Sequence, residues 1–139
     1  MSKLNGGCTC GLLRYTLNLP GSSDDARTTL CHCHSCKRAF GGAFGLTAKT
    51  AKDNLKYTTS TTPKIFVQDN GVHREFCGEC GVFISEYGEQ AKNDFRYLCV
   101  GTLDDGSNAL PPKGEFFTSQ RDQWMPQVPD IFHKKEIKN

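Results

Sequence analysis

The chain predicts a small, mainly β domain held together by metal-ligating cysteines, on three observations. Short stretches rich in β-branched and aromatic residues recur along it, each bounded by Gly, Pro, Asn or Asp. Helical signals are confined to one short stretch. Eight of the 139 residues are cysteine, and seven of these fall in short clusters.

The strand candidates are Leu12 to Leu17, Thr28 to Cys31, Phe44 to Lys49, Lys64 to Gln68, Val72 to Cys77, Phe83 to Glu86 and Phe95 to Thr102. Asp69, Asn70 and Gly71 lie between two of them and tolerate positive φ, so they predict a hairpin turn. Ser35 to Phe40 predicts one or two helical turns, stopped by Gly41 and Gly42. Asp104, Asp105 and Gly106 form a turn. Leu110, Pro111 and Pro112 cannot continue a ladder and open an irregular C-terminal segment. Without repeat or linker, residues 1–139 read as one domain, with 126–139 as a peripheral tail.

Charge and hydropathy narrow the partners. A net charge of +2, with no basic stripe, does not predict a nucleic-acid partner. The basic run of His133, Lys134 and Lys135 with Lys138 reads as a solvated terminus. Met1 to Gly7 lacks the apolar core of a signal peptide, and no apolar run is long enough to span a membrane. The expectation is a reducing compartment, the cytoplasm or nucleus, where clustered cysteines are metal ligands rather than disulfides.

The clusters divide into two sites. Cys8 and Cys10, on one face of an extended segment, supply two thiolates. Cys77 and Cys80, followed by Gly81, have knuckle spacing, in which a turn aims both sulfurs one way and leaves backbone N–H groups to bond them. Together they predict a closed, structural zinc site whose binding free energy becomes folding free energy. Cys31, Cys33 and Cys36 supply three sulfurs within six residues, predicting a second zinc with an exchangeable fourth position. A substrate thiol suits that position, because zinc holds it as thiolate.

Neighbouring residues are less specific. Lys37 and Arg38 offset thiolate charge, attract an anionic substrate, or are simply a solvated pair. His32 should face away from the metal, whereas His34 is placed to reach metal or substrate; for both, a hydrogen-bonded or exposed imidazole is the plainer reading. His73 and His133 show no partner. Cys99 reads as a buried small hydrophobe, although as a fourth ligand it would close the second site. Phe40, Phe44, Phe66, Phe76 and Phe83 read mostly as core, and Trp124 as cover for a cleft or packing for the C-terminal end. Arg14, Arg38, Arg74, Arg96 and Arg121 are equal candidates to hold a substrate carboxylate.

The blocks Gly7–Cys8–Thr9–Cys10–Gly11, Cys31–His32–Cys33–His34–Ser35–Cys36–Lys37–Arg38 with Gly41, and Phe76–Cys77–Gly78–Glu79–Cys80–Gly81 resemble the signatures of the glutathione-dependent formaldehyde-activating enzyme family, which includes centromere protein V. The likeness continues through Val100 to Asp105 and Arg121 to Trp124. It departs at Lys37–Arg38, where the family often has Arg–Lys. The resemblance implies a zinc-stapled, β-tent-like antiparallel β-sheet fold. It also implies zinc on both cysteine sets and addition of glutathione to formaldehyde, a reversible carbon–sulfur lyase reaction. On that reading Cys31, Cys33 and Cys36 act with His34 or water as proton donor. The competing expectations are a detoxifying lyase that takes another thiol or a related electrophile, and a non-enzymatic binding module with two structural zincs.

Overall fold

A computed structural model describes residues 2–22 and 26–136; Lys138, in the expected basic run, lies outside them. Two sheets form the domain. The smaller joins β1 (Ser2–Gly7), β2 (Arg14–Leu19) and β5 (Leu55–Tyr57), all antiparallel. The larger has eight strands in the order β11-β10-β3-β4-β9-β8-β7-β6. Its members are β3 (Arg27–Cys31), β4 (Gly45–Ala51), β6 (Lys64–Val67), β7 (Val72–Phe76), β8 (Phe83–Gly88), β9 (Phe95–Cys99), β10 (Gly114–Phe116) and β11 (Phe132–His133). A single α-helix, α1 (His34–Phe40), follows β3 among the described residues.

Alternation builds the core. In β2, Tyr15, Leu17 and Leu19 are buried while Arg14, Thr16 and Asn18 are partly exposed. Leu13, Tyr15, Leu17 and Leu55 then pack in one cluster with Ala48, Ile84, Leu98 and Val100 from the larger-sheet region. Fully burying one such aliphatic side chain is worth about 1.5–3 kcal/mol. Gly6 of the smaller sheet also bridges to Leu103, just beyond β9. There Tyr15 Oη, packed against Gly6, shares a hydrogen bond of 2.7 Å with Thr102 Oγ1.

The hairpin expected at Asp69–Gly71 is present between β6 and β7, with Gly71 at φ 88° and its N–H donating to Gln68 O. The segment expected as strand from Phe95 to Thr102 ends at Cys99 and becomes a 3-10 turn, Val100–Thr102.

Four strands differ from expectation. β1 and β5 arise in polar or very short stretches with little β propensity, and antiparallel pairing to β2 makes them strands. β10 falls within the segment expected to be irregular. It runs parallel to β3, and β11 runs parallel to β10, so the larger sheet is mixed rather than purely antiparallel. The segment after residue 126 therefore carries an edge strand. Phe66 is 59% exposed because β6 is the opposite edge, where no neighbour covers it.

Candidate functional site

Two similar turns present the first thiol set. Cys8 N donates to Leu13 O and Cys77 N donates to Val82 O, both at 3.0 Å, and each loop turns through a left-handed glycine, Gly11 or Gly81. Cys8 and Cys10 thus occupy a turn just after β1, not the extended segment expected of alternation. Backbone N–H groups point at the sulfurs: Leu13 at Cys8 Sγ, and Glu79 and Cys80 at Cys77 Sγ. The four sulfurs of Cys8, Cys10, Cys77 and Cys80 lie within 4.8 Å of one another. Tetrahedral zinc with bonds of about 2.3 Å sets sulfurs about 3.8 Å apart. Cys8 to Cys10 is 3.6 Å and Cys10 to Cys77 is 3.7 Å, so the donor set fits a four-thiolate metal ion.

The second set is built across a strand–helix junction. Cys31 ends β3, Cys33 is the N-cap of α1, and Cys36 lies in the helix's first turn. Cys33 Sγ accepts from Cys36 N at 3.4 Å, in the manner of a capping side chain. Gly45, opposite Cys31, lets α1 lie against β4: a Cβ there would come within 2.8 Å of the Phe40 ring and 3.0 Å of Cys36 Cβ. All three sulfurs fall within 4.8 Å of one another. The hydrogen bond from Cys36, aided by Cys33, lowers the Cys31 thiol to about 6, while the bond to Cys31 pushes Cys36 up. Three thiols this close cannot all ionise without a cation among them, so this trio also fits a metal.

A buried polar cluster seats this junction. His32 is fully buried and turned away from the sulfurs, with Nε2 bonded to Glu115 Oε2. Glu115, equally buried, takes two hydrogen bonds from Arg121 and one from Val128 N–H. His133 is 3.2 Å from the same carboxylate, so it has a partner. Gln120 accepts from His34 N through its side chain and from Lys37 Nζ through its carbonyl. Lys37 also pairs with Asp122 at 2.8 Å, so it is tied down rather than solvated. His34 is exposed beside Arg38. His73 stacks on Tyr87 and meets Glu89 at 3.1 Å, so it too is partnered. Cys99 is buried, which pushes its thiol well up, and it joins neither thiol group. Trp124 is 73% exposed and does not pack the C-terminal end onto the sheet.

A cavity of about 720 Å³ opens beside the second trio, with Cys31 and Cys36 in its wall. That volume lies within the range of about 300–1,000 Å³ typical of small-molecule sites. Strand register explains its floor. Arg27 is opposite Lys49, Lys49 opposite Tyr97, Tyr97 opposite Glu86 and Glu86 opposite Arg74. Directly opposed residues share a sheet face, so this row runs across five strands. Arg27, Lys49, Tyr97 and Glu86 line the cavity; Tyr87, Phe116 and Phe132 add aromatic walls and Lys113 another basic residue. Burial raises the Glu86 carboxyl despite its ion pair with Arg74.

The five arginines considered as carboxylate partners are mostly engaged elsewhere. Arg14 pairs with Asp104, Arg74 with Glu86, Gln68 and Ser35, and Arg121 with Glu115; Arg96 lies over Tyr87. Sequence reasoning missed Arg27, Lys49, Glu86 and Glu115. Charged residues inside strand segments were the available signal, but the shared face follows only from register.

A crystal structure of a Rhodobacter sphaeroides protein matches the fold with a TM-score of 0.56 and 19% identity, covering 73% of this chain and 88% of that one. No curated protein matches the chain. The family described as glutathione-dependent formaldehyde-activating enzyme matches residues 3–120, which takes in both cysteine sets, the cavity floor and Glu115. The chain belongs to the glutathione-dependent formaldehyde-activating enzyme family.

Proposed function

We propose that the protein is a zinc-dependent carbon–sulfur lyase that joins glutathione to formaldehyde, reversibly, at Cys31, Cys33 and Cys36. One observation carries this reading: a three-thiol group that opens onto a cavity with basic residues in its wall. Cys8, Cys10, Cys77 and Cys80 would hold a structural zinc, and Cys31, Cys33 and Cys36 a second one. Zinc in the trio would stabilise a substrate thiol as thiolate at neutral pH.

The protein's own residues bind and orient. Arg27, Lys49 and Lys113 offer positive charge to the two carboxylates of glutathione. The aromatic walls give the substrate an apolar surface to pack against. The glutathione sulfur attacks the formaldehyde carbon and the new carbon–sulfur bond forms. The carbonyl electron pair moves to oxygen, which takes a proton from water in the open cavity. His34, exposed beside Arg38, is not part of the cavity wall. The reverse path returns that proton and releases the aldehyde.

A module with two closed zinc sites is the competing reading. Among the described residues no fourth cysteine or histidine joins the trio, and that supports the open, reactive site. Exchange NMR on glutathione and formaldehyde at equilibrium tests the proposal. Zinc-loaded protein should speed exchange, and Cys33→Ser should abolish the gain. Unchanged exchange with wild-type protein would remove the formaldehyde reaction from consideration.

A further inference from the structure

The charged row on the cavity floor contains one carboxylate among cations. A site that only attracts an anionic thiol has no use for it: Glu86 would repel the carboxylates that Arg27 and Lys49 attract. Its geometry suggests a second task. Glu86 Oε2 accepts from Arg74 Nη1 at 3.1 Å, and no other hydrogen bond to Glu86 occurs among the described residues. Oε1 is therefore unpaired, and it is not sealed from solvent. The side chain is only 17% exposed and lies in the wall that holds Cys31 and Cys36. A half-desolvated carboxylate with a spare oxygen suits a cation better than water does.

The neighbours indicate which cation. Lys49 and Glu86 flank Tyr97, one strand to each side. Two strand spacings are about 10 Å. That separates the two backbones; both side chains line the same cavity, so a donor and an acceptor of opposite charge face one space, matching an ammonium and a carboxylate carried on one carbon. Lys49 is in the cavity wall, and its ammonium lies 4.1 Å from the centre of the Phe95 ring. Arg74, which anchors Glu86, also donates to Ser35 Oγ in α1, between Cys33 and Cys36. The carboxylate is thereby tied to the element that carries the thiols.

We propose that Glu86 binds the α-ammonium of the thiol substrate while Lys49 binds the adjoining α-carboxylate, so that the site selects thiols bearing a free α-amino-acid head. This rests on the reading of Cys31, Cys33 and Cys36 as a glutathione site, and it adds what that reading leaves open: recognition of the γ-glutamyl end. Arg27 remains for the second carboxylate. Thiols without the ammonium, such as simple mercaptoacids, are discriminated against because Glu86 is left unpaired and negative beside them.

The test compares two ligands on zinc-loaded protein: glutathione and its desamino analogue, in which hydrogen replaces the ammonium. Titration calorimetry should give glutathione an affinity about tenfold or more higher, as expected for a charge-assisted hydrogen bond. Glu86→Gln keeps the shape and a partner for Arg74. It should remove most of that preference by weakening glutathione while leaving the analogue unchanged or tighter. Equal binding of the two ligands by the wild type overturns the proposal without needing the variant, and so does a preference that survives in Glu86→Gln. Tight, equal binding would leave the glutathione site standing, whereas no binding of either thiol would remove both readings.

Discussion

The two thiol sets share a chemistry and differ in everything around it. Cys8, Cys10, Cys77 and Cys80 sit on two matching turns, 67 residues apart between Cys10 and Cys77, with backbone N–H groups aimed at the sulfurs. Cys31, Cys33 and Cys36 come from one strand end and one helix turn, number three, and open on a large cavity. With a metal bound, the first arrangement would tie distant chain segments, the folding role proposed for it. The second would leave a coordination position beside a cavity, the binding role proposed for it. Closure and supporting hydrogen bonds, rather than ligand type, distinguish them.

The largest expected effect breaks the first set. Cys77→Ser, at a buried sulfur, should leave the chain without its cooperative thermal transition by circular dichroism, because structural zinc contributes about 10–16 kcal/mol in small zinc domains. Cys33→Ser should do the opposite. Metal analysis should fall from two zincs per chain to one while the circular dichroism spectrum is retained. A globally unfolded Cys33→Ser would end the division into structural and reactive sites.

Next in size is the cluster beneath the second set. Glu115→Ala strips a buried carboxylate from Arg121 and His32 and should cost about 3–5 kcal/mol in urea unfolding. The pH dependence has a definite sign. Burial raises the Glu115 carboxyl, but hydrogen bonds from Arg121 and His32 outweigh it and hold the group below its ordinary value of 4.5. The folded value lies below the unfolded one, so its contribution is fully present above pH 4.5 and is lost as pH falls through the folded value. Urea midpoints of wild type and Glu115→Gln should converge as the pH drops through that window.

The smallest effect sharpens the contrast from outside. Arg14 and Asp104 form a bidentate pair at the surface, with side chains 38% and 51% exposed. Arg14→Ala should change stability by only about 0–1 kcal/mol. A larger loss would mean that the first site depends on the strand that follows its Cys8 turn.

Legibility followed locality. Knuckle spacing at Cys77 and Cys80, the hairpin at Gly71 and the short helix over Cys36 were readable because each is set by residues within a few positions. The Cys8–Cys10 geometry was misread as alternation, since the hydrogen bond from Cys8 N to Leu13 O that closes the turn leaves no mark in composition. β10 and β11 were missed for a related reason. Gly114–Phe116 and Phe132–His133 are too short to show a period, and they become strands only by lying parallel to a neighbour. The partners of His73 and His133 were hidden in the same way, being Glu89 and Glu115.

The sequence alone determined the mainly β architecture and the membership of both thiol groups. Those follow from residue type and short spacing: alternation fits a pleated surface, and sulfurs two or three residues apart can converge. Tertiary structure decided which charges face the thiols. Arg27, Lys49, Glu86 and Arg74 are scattered over 60 residues and meet because β3, β4, β9, β8 and β7 pair in one register. A slip of one residue in any strand would send its side chain to the other face, so the cavity's chemistry belongs to the pairing rather than to any segment.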